Sequence, residues 1–255
     1  MMLKLRPILR GLWITAGLSI TAWIYAGFQA SDLPADAVQS DSLVTVAGSG
    51  DELRFRPKSS PHRAGLLFLP GGMVEPAAYA PLMKRVAAAG YEARLLYFPL
   101  RCACTDAQIQ EVFTHVRKVI ADEPGIPWIL GGHSRGAMLA ARYAHETGTS
   151  GLAGLALVAT THPRDFSLAD LSIPITKIYA TNDGVAPYSR MRLNSQLLPA
   201  NTKWVAIEGG NHVQFGYYGH QLGDGAATLS RTQQQEQLAQ ALLTQLASVE
   251  TGTHQ

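Results

Sequence analysis

From Ala64 onward, short apolar runs alternate with longer stretches of helical periodicity. The runs lie at 66–69, 93–98, 128–130, 155–158, 175–180 and 204–207. They are near-continuous in apolar residues, which suits strands buried on both faces. Between them the period changes. After Thr105, apolar residues fall at Ile109, Val112, Phe113, Val116, Val119 and Ile120, one stripe of a helix. Thr105 with Gln108 forms a capping-box pattern, and so does Ser230 with Gln233 ahead of Leu238, Leu242, Leu243 and Leu246. Residues 77–89 read as a helix closed by Gly90. Alternating strand and helix predicts an α/β fold, with a mostly parallel central sheet and helices on both faces. No internal repeat is present.

Upstream the pattern differs. Residues 11–30 carry no charged side chain and follow Lys4, Arg6 and Arg10. Twenty such residues are long enough to cross a bilayer core as a helix. The basic flank predicts an N-terminus in the cytoplasm and the rest of the chain on the extracytoplasmic side. The reading is an uncleaved single-pass signal-anchor, with membrane contact through residues 11–30. The alternative is a cleaved signal peptide and a secreted or periplasmic product. Cleavage after Ala30 or Ala26 would place Phe28 or Ile24 at −3, where a small residue is needed. The expected organisation is a segment at 1–30, a linker and leading strands (43–46 and 52–56) within 31–63, an α/β domain at 64–248 and a flexible tail at 249–255.

Composition sharpens this division. The chain has 255 residues and a formal charge of +2. Its 21 basic residues fall to 18, against 19 acidic ones, once Lys4, Arg6 and Arg10 are set aside. The remainder is near neutral, which argues against an electrostatic nucleic-acid binder. An apolar content of 47% supports a sizeable core rather than disorder. The only cysteines, Cys102 and Cys104, form a C-x-C. They read either as a small-ring disulfide or as two loop thiols. No metal or organic cofactor is implied, and the sequence sets no oligomeric state.

The run at 128–130 leads into Gly132-His133-Ser134-Arg135-Gly136 and then a helix of small residues, Ala137, Ala140 and Ala141. This is G-x-S-x-G between a strand and a helix. A serine held clear of a sheet needs a sharp, strained turn, and side chains two residues to either side would collide. Ser134 would sit at a helix N-terminus, where the Arg135 backbone N–H points at any anion formed on a substrate. The hydroxyl needs a base, and the base needs an orienting carboxylate. Asp183 follows the run at 175–180 and His212 follows the run at 204–207, both at expected strand C-terminal ends. His220 is the rival base; Glu208 and Asp224 are the rival carboxylates. His62, His115, His145 and His162 precede Asp183, and His254 lies on the tail. The second oxyanion donor should come from Pro70-Gly71-Gly72-Met73, at Gly72 or alternatively Met73.

At these residues the chain resembles the α/β-hydrolase superfamily of serine hydrolases, over about residues 64–246. It looks closest to an esterase-like branch of small bacterial-type hydrolases. The marks are Leu69-Pro70-Gly71-Gly72 with Tyr79-Ala80-Pro81-Leu82, the Ser134 elbow, Ala180-Thr181-Asn182-Asp183-Gly184-Val185 and Glu208-Gly209-Gly210-Asn211-His212. Gln214-Phe215-Gly216-Tyr217-Tyr218-Gly219 and Gly223-Asp224-Gly225 extend the match. The resemblance implies an α/β-hydrolase fold with Ser134, Asp183 and His212 as triad.

The lid segment, 161–174, is too short for a multi-helix cap, so a minimal lid and an open site are expected. Candidate substrate-wall residues are Met73, His133, Phe215 and Tyr217. His133 should point away from Ser134, and the aromatics at 215, 217 and 218 either line a pocket or pack their loop down. The expected activity is hydrolysis of a small-molecule carboxylic ester through an acyl-enzyme. Thioester, lactone or amide cleavage on the same triad is the alternative, and a membrane-tethered binding protein on this scaffold is a second.

Overall fold

The computed structural model describes residues 5–59 and 64–252. Residues 1–4, 60–63 and 253–255, with Lys4, His62 and His254, lie outside the described residues, as do those ends of the expected segments.

Strand β3 (Gly65–Leu69) shows how the apolar runs are used. Leu66 and Phe68 enter one core, while Leu67 and Leu69 enter another on the opposite face. A strand with both faces covered has no polar alternation to display. The other strands are β1 (Val44–Gly48), β2 (Glu52–Pro57), β4 (Glu92–Leu96), β5 (Trp128–His133), β6 (Leu152–Val158), β7 (Ile175–Ala180) and β8 (Lys203–Ile207). They form one eight-stranded sheet in the order β1-β2-β4-β3-β5-β6-β7-β8. The β1–β2 and β2–β4 pairs are antiparallel, and every other pair is parallel. The pieces expected at 43–46 and 52–56 are therefore the edge of the main sheet.

Helices cover both faces. α2 (Ala80–Ala88) and α6 (Arg231–Gly252) bury Met83, Val86, Leu238 and Leu242 in one core. α3 (Asp106–Asp122) and α4 (Arg135–Thr147) bury Val112, Phe113, Leu139 and Ala140 in the other. Both capping boxes form. Gln108 N–H donates to Thr105 Oγ1 at 3.3 Å, and Ser230 N–H to Gln233 Oε1 at 2.9 Å. The helix read at 77–89 begins as a tight turn at Pro76–Tyr79. A short α5 (Tyr188–Leu193) has too few residues to display a period. Residues 159–174, between β6 and β7, contain no helix, so nothing caps the sheet there.

The chain leaves β3 towards β4 and returns to β5 on the other side of β3. Ligands of open α/β sheets bind outside the strand C-termini at such a reversal. The turn after β3 and the turn after β5 are therefore neighbours. At the far end of the chain, α1 (Leu5–Gly27) is the one helix among the described residues long and apolar enough to be a membrane span or a signal sequence.

Candidate active site

The elbow after β5 is set by close backbone approach. A Cβ on Gly136 would lie 2.0 Å from Leu69 O, and one on Gly132 would lie 2.5 Å from Gly136 C. Neither site admits any other residue without moving main chain. Ser134 between them has φ 53° and ψ −111°, a conformation costly for a residue with a Cβ. Its N–H donates to Val158 O at 2.9 Å, which ties the turn to β6. α4 begins at Arg135, so the first N–H groups of that helix lack intrahelical acceptors.

The turn after β3 comes against this helix start. A Cβ on Gly72 would touch the Arg135 side chain at 3.1 Å. Gly71 N–H donates to Tyr79 Oη at 3.0 Å, and Met73 N–H to Arg101 O at 2.6 Å. The Gly72 N–H makes no hydrogen bond among the described residues. Of the two donors the sequence offered, Gly72 is free and Met73 is engaged.

Asp183 and His212 meet beyond β7 and β8. His212 Nδ1 lies 2.8 Å from Asp183 Oδ2, and both side chains are buried. The other carboxylate oxygen, Oδ1, accepts from Val185 N–H at 2.9 Å and Ala186 N–H at 2.7 Å. His212 Nε2 has no hydrogen-bond partner among the described residues. The rivals are occupied elsewhere. Glu208 is exposed at the end of β8. Asp224 accepts from the backbone N–H groups of His212, Val213, Gly225 and Gly184. It is a clamp between the His212 and Asp183 loops. His220 is exposed and stacks on Trp23 of α1 at 3.7 Å.

Ser134 opens onto a cleft of about 230 Å³. Its walls are Arg135, Met138, Ala159, Thr160, Thr161, His162, Arg164, Val185 and Ala186. Burial, followed by the charges of Arg164 and Lys177, pushes the His162 imidazole down to about 4, so it is neutral at working pH. Behind the wall, the buried Lys177 ammonium donates to His162 O. Burial pushes that ammonium down to about 7. A larger cavity of about 320 Å³ shares no lining residue with this cleft.

None of the four expected substrate-wall residues lines the cleft. His133 is fully buried. Its Nδ1 lies 2.8 Å from Tyr79 Oη, and its ring sits 4.5 Å from that of His212. Tyr79 Oη, which accepts from Gly71 N–H, thus links the turn after β3 to His133. Burial holds the His133 imidazole far below the ordinary histidine value, so it stays neutral. Phe215 is also buried, with its ring 5.6 Å from that of His133. Tyr217 lines the larger cavity and lies under the Arg231 guanidinium. Met73 is exposed, with φ 66°.

Sequence reasoning missed the loop that backs the site. Arg135 Nε donates to Cys102 O at 2.6 Å, and its Nη2 donates to Ala103 O. Cys102 and Cys104 are joined as a disulfide. The turn after β3 and the start of α4 thus both grip residues 101–103. The C-x-C was visible in the sequence, but its distance from Arg135 was not.

Among curated proteins, none matches this chain. Two solved structures of esterases from the planctomycete Thermogutta terrifontis share its fold. One, a thermophilic esterase with butyrate bound, has a TM-score of 0.56 and 17% identity, covering 80% of this chain and 95% of its own. The other, esterase 2 phosphoramylated by tabun, has a TM-score of 0.57 and 17% identity, covering 84% and 98%. Residues 65–236, which hold the elbow, the Asp183–His212 pair and the Gly72 turn, match the family model of the alpha/beta hydrolase family, and the chain belongs to that family.

Proposed function

We propose that the protein is a serine hydrolase of carboxylic esters. Ser134 attacks the acyl carbon, and His212 Nε2 takes its proton and passes it to the leaving alcohol. Asp183 holds the proton on Nδ1. The N–H groups of Gly72 and Arg135 receive the oxyanion. The observation that carries this reading is the buried Asp183–His212 pair with an unpartnered Nε2, its ring 4.5 Å from that of His133, which directly precedes the serine of the strained turn.

The size of the cleft fits the atoms around one ester bond rather than a long enclosed chain. Esterase 2 of Thermogutta terrifontis, which shares this fold, holds butyrate in one structure and carries a phosphoramyl group from tabun in the other. Both states agree with a nucleophile acting on small acyl or phosphoryl groups. Thioesters, lactones and amides would use the same residues.

The test is a panel of p-nitrophenyl esters, a thioester and an anilide on the full chain, with fluorophosphonate labelling. Ester turnover and labelling should both vanish in Ser134→Ala. Turnover that survives this change would sink the assignment, and labelling absent from the unmodified chain would favour a binding protein. For location, we propose that α1 is a single-pass anchor with the hydrolase domain on the extracytoplasmic side. The Cys102–Cys104 disulfide suits an oxidising compartment.

A further inference from the structure

We infer that the active-site face lies on the bilayer that α1 enters, and that the substrate is a membrane-partitioned amphiphile whose ester sits at the interface. The inference rests on the esterase reading and on α1 as a span.

Residues 28–31, at the expected junction of the anchor segment and the linker, are fixed to the domain at two places. On one side, Gly219 N–H donates to Gly27 O at 2.9 Å, and Ser31 N–H donates to Tyr217 O at 2.9 Å. Gly27 and residues 219–220 approach so closely that a Cβ on Gly27 would meet His220 O at 2.4 Å. On the other side, Glu75 N–H donates to Phe28 O at 2.8 Å, and Ala30 N–H to Glu75 Oε2 at 3.0 Å. Arg101 Nη1 donates to Gln29 Oε1 at 2.9 Å.

These two anchorages belong to segments that are hydrogen-bonded to the two sides of the site. The 217–224 loop leads to Asp224, the clamp on His212 and the Asp183 loop. Arg101 passes through its carbonyl to Met73, next to the Gly72 donor. The helix end therefore touches both the base side and the oxyanion side. No free linker separates the membrane exit from the site.

The surface chemistry agrees. The 23 residues of α1 span about 34 Å, close to a hydrocarbon core. The apolar window of α1 stands clear of the domain, entirely unburied. Trp23 and Tyr25, at its domain end, are the residue types that mark the headgroup level. Beside the two anchorages three large apolar side chains are exposed: Leu100, next to Arg101, is 83% exposed, Leu222 66% and Met73, bonded to Arg101, 47%. Leu222 borders the groove formed with Trp23 and Phe28. Exposed apolar side chains lower solubility without packing anything. Seated in the interface, they continue the apolar surface of α1. The cleft is too small to enclose a long chain, so the chain of the amphiphile would remain in the bilayer while its ester reaches Ser134.

The experiment uses the full chain reconstituted in phosphatidylcholine vesicles. With Cys102 and Cys104 paired, Leu222→Cys and Asn201→Cys each offer one thiol for an NBD fluorophore. Asn201 precedes β8, at the N-terminal end of the parallel strands and away from the strand ends that bear the site. Nitroxide-bearing lipids should quench the label at 222 several-fold more than the label at 201. Equal quenching at the two positions would overturn the orientation, whatever the activity. A mature chain that begins after Gly27 by intact mass would also overturn it. For the substrate, Leu222→Asp should reduce hydrolysis of a vesicle-embedded oleoyl ester about tenfold and leave p-nitrophenyl acetate hydrolysis unchanged. An unchanged ratio of the two rates would reject the amphiphile. Loss of all ester turnover in the unmodified chain would reject the esterase reading alone, since the quenching result stands apart from it.

Discussion

Asp183→Asn removes one charge and almost no volume, and the surrounding hydrogen bonds dictate its outcome. Oδ1 of Asp183 accepts from two backbone N–H groups, those of Val185 and Ala186. An asparagine must keep its oxygen there, because an amide NH₂ in that position would face two donors. Its NH₂ is then forced to point at His212 Nδ1, 2.8 Å from the present Oδ2. Nδ1 can meet an N–H donor only as an unprotonated acceptor. The proton moves to Nε2, and Nε2 can no longer take the Ser134 proton. A wrong-tautomer change of this kind lowers kcat by ~10⁴, or about 5.5 kcal/mol of barrier. Asp224 cannot substitute, since its two oxygens already serve four backbone N–H groups. The assay is kcat/KM on p-nitrophenyl butyrate, with circular dichroism and Tm to show that the variant is folded. A loss below about tenfold in a folded variant would refute the orienting role of Asp183.

Three further outcomes are expected. Gly136→Ala drives a Cβ to 2.0 Å from Leu69 O, a backbone atom that cannot swing aside. Overpacking of this kind costs about 1–3 kcal/mol or more, so thermal melting should show a Tm lower by at least ~2 °C. Removing the Cys102–Cys104 ring by a double change to Ala frees the loop that holds Arg135 and Met73. It should lower kcat more than it raises KM, by less than the ~10²-fold of a lost oxyanion donor; an unchanged kcat in steady-state assays would show the loop to be passive. Burial pushes Lys177 down from 10.5 to about 7, so the unfolded chain binds more protons than the folded one between those values. The unfavourable contribution of Lys177 is fully present below about pH 7 and relieved as pH rises towards 10. In urea titrations, the stability of Lys177→Met relative to the unmodified chain should therefore decline between pH 7 and pH 10, and a constant difference would contradict a neutral folded-state lysine.

Much of the sheet was legible because a strand covered on both faces must be apolar throughout. Boundaries were less so. The run at 128–130 extends through Gly131, Gly132 and His133, because the elbow lies at the end of β5 and its glycines still pair with β6. The run at 93–98 stops at Leu96, where pairing with β2 ends. Asp183 and His212 were readable from their place after strands, since a parallel sheet brings its strand ends to one edge.

What the sequence determined by itself is the short-range chemistry. This includes the strand–Gly-x-Ser-x-Gly–helix turn, the capping boxes, the apolar helix at the N-terminus and the order Ser134, Asp183, His212. Each rests on contacts between residues a few positions apart, or on a period set by backbone geometry. The tertiary structure alone decided what faces what. It turned His133 and Phe215 into the core, left Gly72 rather than Met73 with a free N–H, and made Asp224 a clamp. It also brought the Cys102–Cys104 loop onto Arg135 and fixed residues 28–31 to Tyr217, Glu75 and Arg101. Those outcomes depend on pairs such as Gln29 and Arg101 or Tyr79 and His133, separated by 72 and 54 positions. No local period or motif records such pairs, because their contact exists only once both sheet faces have been covered.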